Sequence, residues 1–208
     1  MTHDTPDGVL KPQLWTERTV EETQAVYTDW AASYEAEVQA RGYHTPRRIA
    51  QALAVHLANS DAPLLDFGCG TGLSGLALRA EGLGPLHGTD INDAMVQEAR
   101  PKSIYERLWV SKPGVLDIAP GSYRAIVATG VISLGAAPPE TLDSLVDASA
   151  PGGLIALSFN DPTLAHGGYD AHLQTHLDSG ALELVSRAHG PHLDDVKMGS
   201  DVIVLKRF

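Results

Sequence analysis

The sequence predicts an α/β fold in which two helices precede a doubly wound sheet, and three observations support this. After Asp61, short apolar segments alternate with helical patterns, which is typical of a parallel sheet. A glycine-rich loop, residues 68–72, joins the first apolar segment to a helix. Before residue 60, apolar residues recur at helical spacing instead. We therefore expect a flexible lead-in over residues 1–15 and one domain over 16–208, with a helical cap (16–60) and an α/β core (61–208).

The composition indicates a globular chain with an acidic balance. Of the 208 residues 43% are hydrophobic and 20% charged, the formal net charge is -11, and Cys69 is the single cysteine. Such a field repels polyanions, so nucleic acid is not an expected partner. No apolar run reaches the ~18–20 residues of a membrane span, and the N-terminus does not resemble a secretory signal. We expect a cytoplasmic protein with no membrane partner, because a lone cysteine fits a reducing compartment.

The cap consists of two predicted helices. The first extends from Thr16 to Val38 and carries Tyr27, Trp30 and Tyr34 on one face, an arrangement that serves either a core stripe or a lid over a ligand. The second begins at Thr45-Pro46, an N-cap followed by a proline, and continues to about Asn59.

The core follows as alternating strands and helices. The predicted strands are Pro63–Phe67, Pro85–Thr89, Ile104–Val110, Tyr123–Thr129, Leu154–Phe159, Leu182–Ala188 and Val202–Lys206. The predicted helices follow the glycine loop and then cover Asn92–Arg100, Pro139–Ala150 and Tyr169–Ser179. Residues 160–168 are expected to form a loop at the carboxyl edge of the sheet, where open α/β folds bind ligands.

Two acidic residues flank the glycine loop. Asp66 stands two residues before Gly68, and Asp90 ends the second predicted strand. Glycines allow a ligand to approach the backbone closely, and the following helix offers free N–H groups. A carboxylate in the position of Asp90 can accept both ribose hydroxyls of an adenosine. The pattern therefore predicts a nucleoside cofactor.

The loop alone leaves the kind of cofactor open. Residues 70–75 form a G-x-G-x-x-G pattern, so a nicotinamide or flavin is an alternative. Two points weigh against it: the first glycine of that pattern lies beyond the turn itself, and Asp66 would place a negative charge beside a pyrophosphate. A cofactor with a cationic amino group suits Asp66 better.

The segment Leu64–Gly75 resembles motif I of the class I methyltransferases that use S-adenosylmethionine (SAM), D-x-G-C-G-T-G. The segments 88–92, 123–127 and 150–153 resemble the later motifs of that family in the same order. Within the family, residues 26–34 and 105–108 are most similar to a subgroup that includes the methyltransferase-like protein of the Williams–Beuren region. The resemblance implies a Rossmann-like, seven-stranded, mostly parallel sheet with an antiparallel last strand at Val202–Lys206.

The resemblance also implies a set of cofactor-binding residues. Gly68, Gly70 and Gly72 would pass under the methionine part of SAM, with Cys69 and Thr71 completing the loop. Asp66 would reach the amino group, and Asp90 the ribose. The adenine would pack on Ile91 and Met95, the sulfonium would lie near Thr129 and Gly130, and Tyr27 and Tyr34 would cover the cofactor. The sequence departs from the family after the third strand, where Lys112-Pro113 stands in place of the Asp-Ala or similar pair that binds the adenine amino group. Backbone groups or Asp117 would then recognise the adenine.

Residues for catalysis are harder to identify. Methyl transfer needs a base only when the acceptor must lose a proton, so no catalytic residue is assigned; weak candidates are His44, His166 and Tyr169. His172 and His176 have a spacing that can chelate a metal, but solvent-facing positions on a helix explain them equally well, and no metal is expected.

The predicted function is transfer of a methyl group from SAM to a small-molecule acceptor, with S-adenosylhomocysteine as the second product. A protein that binds SAM or S-adenosylhomocysteine without turnover, such as a sensor or partner subunit, is the alternative, and a nicotinamide-dependent reductase is a further one.

Overall fold

A computed structural model describes residues 14–57 and 62–208. The helices of this part of the chain are α1 (Val20–Ala40), α2 (Thr45–His56), α3 (Leu73–Ala80), α4 (Asp93–Ala99), α5 (Thr141–Ala148), α6 (Asp161–His166) and α7 (Gly168–Asp178). The strands are β1 (Leu64–Phe67), β2 (Leu86–Asp90), β3 (Arg107–Val110), β4 (Tyr123–Ala128), β5 (Ser149–Asn160), β6 (Leu182–Leu193) and β7 (Met198–Arg207). Among these residues, no helix has both the length and the apolar character that crossing a membrane requires.

The strands form one seven-stranded sheet in the order β3-β2-β1-β4-β5-β7-β6. Strands β1 to β5 pair with one another in parallel, and β7 is antiparallel to both β5 and β6. The predicted doubly wound, mostly parallel sheet is therefore confirmed. The strand order reverses between β1 and β4, and ligands of such sheets bind at the carboxyl ends beside that reversal.

Both faces of the sheet are covered, as a parallel sheet requires. Along β4, Ile126 packs with α5 and α7 on one face, whereas Ala125 and Val127 pack with α2 and α3 on the other. These central side chains are fully buried.

Helix α1 begins later than predicted because a capping box sets its start. The Thr19 hydroxyl accepts from the Glu22 N–H at 3.2 Å, and the Thr19 N–H donates to the Glu22 carboxylate at 2.8 Å. Of the predicted lead-in, residues 1–13 lie outside the described residues. Leu14 is buried, and Trp15 packs in the same aromatic cluster as α1.

Two boundaries near the carboxyl edge differ from the predictions. The expected loop after β5 is wrong, because Asn160 caps Thr163 N–H at 3.0 Å and Pro162 occupies the first turn of α6. Strand β6 continues past the predicted end at Ala188 to Leu193. Because β6 lies at the edge of the sheet, it tolerates Pro191, which lacks an N–H.

Candidate active site

The glycine loop lies between β1 and α3, at the carboxyl end of the sheet. Gly68, Gly70 and Gly72 have φ angles of 66°, 52° and 95°, a region that favours glycine. A Cβ on Gly70 would meet nothing within 4 Å among the described residues, whereas one on Gly68 would collide with Val131. The open side of the loop is therefore at Gly70.

Asp66 is completely buried in β1 beneath this loop. Its Oδ2 accepts hydrogen bonds from Ser74 at 2.7 Å and from the Tyr105 hydroxyl at 2.6 Å. Its Oδ1 has no hydrogen-bond partner among the described residues. Burial raises the pKa of Asp66 to about 6, although the two hydrogen bonds act in the opposite direction. A cationic group placed at Oδ1 would satisfy this oxygen and favour the ionised form.

The position of the Tyr105 ring also explains why residues 75 and 88 are glycines. A Cβ on Gly75 or on Gly88 would approach the Tyr105 ring within 3 Å, so both glycines make room for the ring that reaches Asp66. Gly75, the last glycine of the formal G-x-G-x-x-G pattern, thus serves packing inside α3.

Asp90 ends β2 beside the loop. Its Oδ2 accepts from the Gly70 N–H at 2.9 Å and its Oδ1 from the Asn92 N–H at 2.8 Å. Burial raises the pKa of Asp90 against the effect of these backbone hydrogen bonds. Each carboxylate oxygen retains a second lone pair, so the group can accept two hydroxyls while it holds the loop.

Four more predicted residues lie along the same edge. Cys69 is buried, and burial raises the pKa of its thiol, so it is a packing residue rather than a nucleophile. The hydroxyls of Thr71 and Thr129 are buried and have no partner within the described part of the chain. Gly130 follows Thr129 and donates its N–H to Ser158 Oγ at 2.9 Å.

The predicted adenine contacts lie around the start of α4. Met95 is buried, and the carbonyl of Ile91 accepts from Gln24 of α1 at 2.9 Å. After β3, Lys112 and Asp117 are both exposed. The exposure of Asp117 gives no support to its alternative role in adenine binding.

Helix α1 crosses this edge with an aromatic face. The Tyr27 and Trp30 rings stack at 6.1 Å, and Tyr34 meets Trp30 edge-on at 4.8 Å. Asn92, just after Asp90, donates to the Gln24 carbonyl at 2.8 Å and thereby ties α1 to the β2–α4 turn. The stripe is part of the core. Its role as a cover over the cofactor stays a prediction.

Between α1 and the ends of β4 and β5 lies a partly open cleft with a cavity volume of about 70 Å³. Most of its lining residues are apolar or aromatic and a few are polar, a mixture that small-molecule sites share. The lining residues are Leu14, Trp15, Tyr27, Trp30, Tyr34, Val38, Tyr43, Gly130, Ser133, Leu134, Ala136, Asn160, His192 and Leu193.

His192 forms the polar end of this cleft. Its Nδ1 lies 2.7 Å from the Thr45 hydroxyl, which lies 3.0 Å from Ser200 Oγ, and Arg48 donates to Ser200 Oγ at 2.9 Å. A guanidinium only donates, so Ser200 Oγ accepts from Arg48, and the two hydroxyls can pass this direction on to Nδ1. In that arrangement the ring proton is on Nε2. Burial lowers the pKa of His192 to about 4, so the ring is neutral at pH 7.

The three weak catalytic candidates lie elsewhere. His44 is exposed and pairs with Asp194 at 2.7 Å, and His166 is exposed near Glu17. Tyr169 is buried in the core against Phe159. Within the described residues, none of the three lines the cleft.

The cleft contains residues that the sequence did not single out, chiefly Tyr43 and His192. The two rings meet edge-on at 5.3 Å, because Tyr43 pairs with Leu193 and the His44 N–H donates to the His192 carbonyl. Gly190 and Pro191 usually end a strand, so the local sequence gives no signal for this pairing.

The sheet and its acid-flanked glycine loop define a nucleoside-cofactor protein of the doubly wound class. A family model described as "Methyltransferase domain" matches residues 38–193. The chain belongs to this family, and the predicted class, a class I SAM-dependent methyltransferase, is confirmed. This resolves the alternative of a nicotinamide-dependent reductase in favour of SAM.

Individual relatives differ in their acceptors. The chain is 33% identical over 136 residues to methyltransferase-like protein 27 from Homo sapiens, covering 64% of this chain and 55% of that protein. It is 28% identical to the ribosomal protein L11 methyltransferase of Paraburkholderia phymatum, covering 56% of this chain and 38% of that protein. The fold is similar to magnesium protoporphyrin IX methyltransferase from Synechocystis PCC 6803 with bound SAM, at a TM-score of 0.65 and 16% identity, covering 89% of this chain and 97% of that chain.

Proposed function

We propose that this chain transfers the methyl group of SAM to a small, largely apolar acceptor, and that the acceptor binds in the cleft under α1. The observation that carries the proposal is the position of this aromatic-walled cleft, which reaches Gly130 just beyond the carboxyl end of β4, the strand that pairs with β1 and its Asp66. Donor and acceptor would thus meet at the switch point of the sheet.

The donor fits the residues at the loop. SAM carries an amino group, two ribose hydroxyls and an adenine. The buried Oδ1 of Asp66 lacks a partner among the described residues and would accept from the amino group, whereas Asp90 would accept from the ribose. Gly70, on the open side of the loop, would leave room for the methionine part, and Ile91 and Met95 would contact the adenine. SAM supplies an electrophilic methyl group when bound.

The acceptor is inferred from the walls of the cleft. Tyr27, Trp30 and Tyr34 offer an apolar, aromatic surface, whereas His192 and Asn160 offer polar groups. With Thr45 donating to Nδ1, the neutral His192 ring would carry its proton on Nε2 and would donate a hydrogen bond. We therefore propose a compact apolar acceptor with one hydrogen-bond-accepting group.

The chain's own contribution would be orientation and exclusion of water. Methyl transfer requires in-line approach of the acceptor atom, and positioning can supply much of the rate enhancement. The cover by α1 would keep water from the reacting atoms, and His192 would fix the polar end of the acceptor. No general base is assigned, because an acceptor that reacts without losing a proton needs none.

The test measures binding first and turnover second. Calorimetry with SAM and S-adenosylhomocysteine should show saturable binding of both, and wild-type protein should release S-adenosylhomocysteine with members of a panel of apolar oxygen, nitrogen and sulfur nucleophiles. Asp178→Ala, which changes an exposed position on α7, should bind and react like the wild-type protein. Binding of SAM without turnover of any small acceptor would favour the non-catalytic alternative. Turnover with a protein acceptor alone would show that the acceptor is a protein and not a small molecule.

A further inference from the structure

Asp143, His172 and His176 form a cluster on the surface, between α5 and α7. The Nε2 atoms of His172 and His176 lie 2.8 Å and 2.7 Å from the same oxygen, Oδ1 of Asp143. One ligand atom from each of the three residues lies within 4.8 Å of the other two. The cluster belongs neither to the cleft nor to the glycine loop.

The packing of two helices holds the three side chains together. His172 and His176 are one turn apart and share a face of α7. Leu173 of α7 and Leu142 of α5 are both buried in the core on the same face of the sheet, and each is adjacent in sequence to a member of the cluster. The core therefore fixes both helices, and the position of the cluster follows from the fold.

The donor set matches the preference of zinc. Neutral imidazole nitrogens and a carboxylate oxygen are common ligands of Zn²⁺, at about 2.0–2.2 Å. Neighbouring ligand atoms of a tetrahedral ion lie about 3.3–3.6 Å apart, so both imidazoles need to withdraw from Asp143 by only about half an ångström to one ångström. The ion would replace the two protons that both rings now direct at one oxygen.

Exposure and charge also suit a cation. The side chains of His172, His176 and Asp143 are 24%, 16% and 50% exposed, so a water molecule can complete a tetrahedral shell. The chain has a formal net charge of -11, which raises the local concentration of cations.

We propose that Asp143, His172 and His176 form a binding site for a divalent transition-metal ion of the zinc type, which links α5 to α7. The site is distinct from the proposed SAM site and does not depend on the proposed function.

The test uses untagged, chelator-treated full-length protein, because a histidine tag would bind the same ions. Titration with ZnCl₂ in a calorimeter should show one saturable equivalent, and zinc should raise the thermal unfolding temperature. His172→Gln, His176→Gln and Asp143→Asn should each weaken zinc binding by at least about tenfold, because each removes a ligand. His56→Gln changes an exposed histidine on α2 and should leave the zinc affinity unchanged.

A wild-type protein that takes up no zinc would overturn the proposal, whatever the variants do. Zinc binding that persists in all three cluster variants would also overturn it. Circular dichroism and S-adenosylhomocysteine affinity, measured on each variant, separate a lost ligand from a lost fold. A failure of S-adenosylhomocysteine binding in the wild-type protein would count against the proposed function and leave the zinc result intact.

Discussion

The two sides of the candidate active site are built in different ways. The donor side comes mostly from residues 64–95, a β1–α3–β2–α4 run in which the predicted cofactor residues lie near the end of a strand, in the turn that follows it or in the first turn of a helix. The acceptor side combines side chains from Leu14 to Tyr43, from the segment after β4, and from the far end of β6. Local sequence therefore determines the donor side, and tertiary packing determines the acceptor side. Members of a family can share the donor side and differ in the acceptor side.

If the two sides act separately, the largest effect on cofactor affinity should come from removing the Asp90 carboxylate, which would accept hydrogen bonds from the ribose. Asp90→Ala should raise the Kd for S-adenosylhomocysteine about a hundredfold, since two hydrogen bonds to a charged group contribute roughly 3 kcal/mol. Calorimetry measures this, with Asp178→Ala as the exposed control and circular dichroism as the check on folding. An unchanged affinity would show that Asp90 does not hold the ribose.

The next effect concerns pH. The free Asp66 carboxyl has a pKa of about 6, and a cationic amino group prefers its ionised form. S-Adenosylhomocysteine affinity should therefore fall as pH falls through 6, by about tenfold between pH 7 and pH 5.

Asp66→Asn isolates this contribution. The variant should bind more weakly than wild type at pH 7 and should lose most of the pH dependence; what remains reports Asp90, whose pKa burial also raises. A wild-type affinity that is flat from pH 7 to pH 5 would argue against contact between Asp66 and the amino group.

At the acceptor side we expect a smaller effect, and one on turnover rather than on cofactor affinity. His192→Gln should lower kcat/KM for an identified acceptor by about fivefold, because a neutral hydrogen bond contributes roughly 1 kcal/mol. It should leave S-adenosylhomocysteine affinity unchanged. If the variant loses affinity for S-adenosylhomocysteine, the two sides are coupled and the division between them is wrong.

The smallest expected effect is on stability and concerns the N-terminus of α1. Thr19→Ala removes the capping box of α1 and should cost about 1 kcal/mol, a drop of roughly 2–4 °C in unfolding temperature. Glu21→Ala, in the same turn but outside the box, is the matched control. Equal drops in the two variants would mean that the box contributes nothing specific.

The predicted elements show which physical information a sequence contains. The β1 loop and its acids are predictable because strand, glycine turn and helix start are local features. The loop prediction for residues 160–168 failed, because Asn160 as N-cap and Pro162 in the first turn start the short helix α6. His192 was missed because Gly190 and Pro191 end a strand by local rules, whereas the edge position of β6 permits them.

The acceptor side and the histidine cluster depend on distant pairings. Tyr43 meets His192 across about 150 residues, and Asp143 reaches His172 and His176 from another helix. A single sequence contains no signal for such distances. His172 and His176 were visible as a pair at helical spacing, but their carboxylate partner was not.

A crystal structure with bound S-adenosylhomocysteine tests the division between the two sides most directly. We expect the ribose hydroxyls within hydrogen-bond distance of the Asp90 carboxylate, the amino group within reach of Asp66 Oδ1, and the sulfur facing the cleft between Gly130 and α1. A nucleoside bound away from Asp90, or a sulfur that faces away from the cleft, would contradict the account.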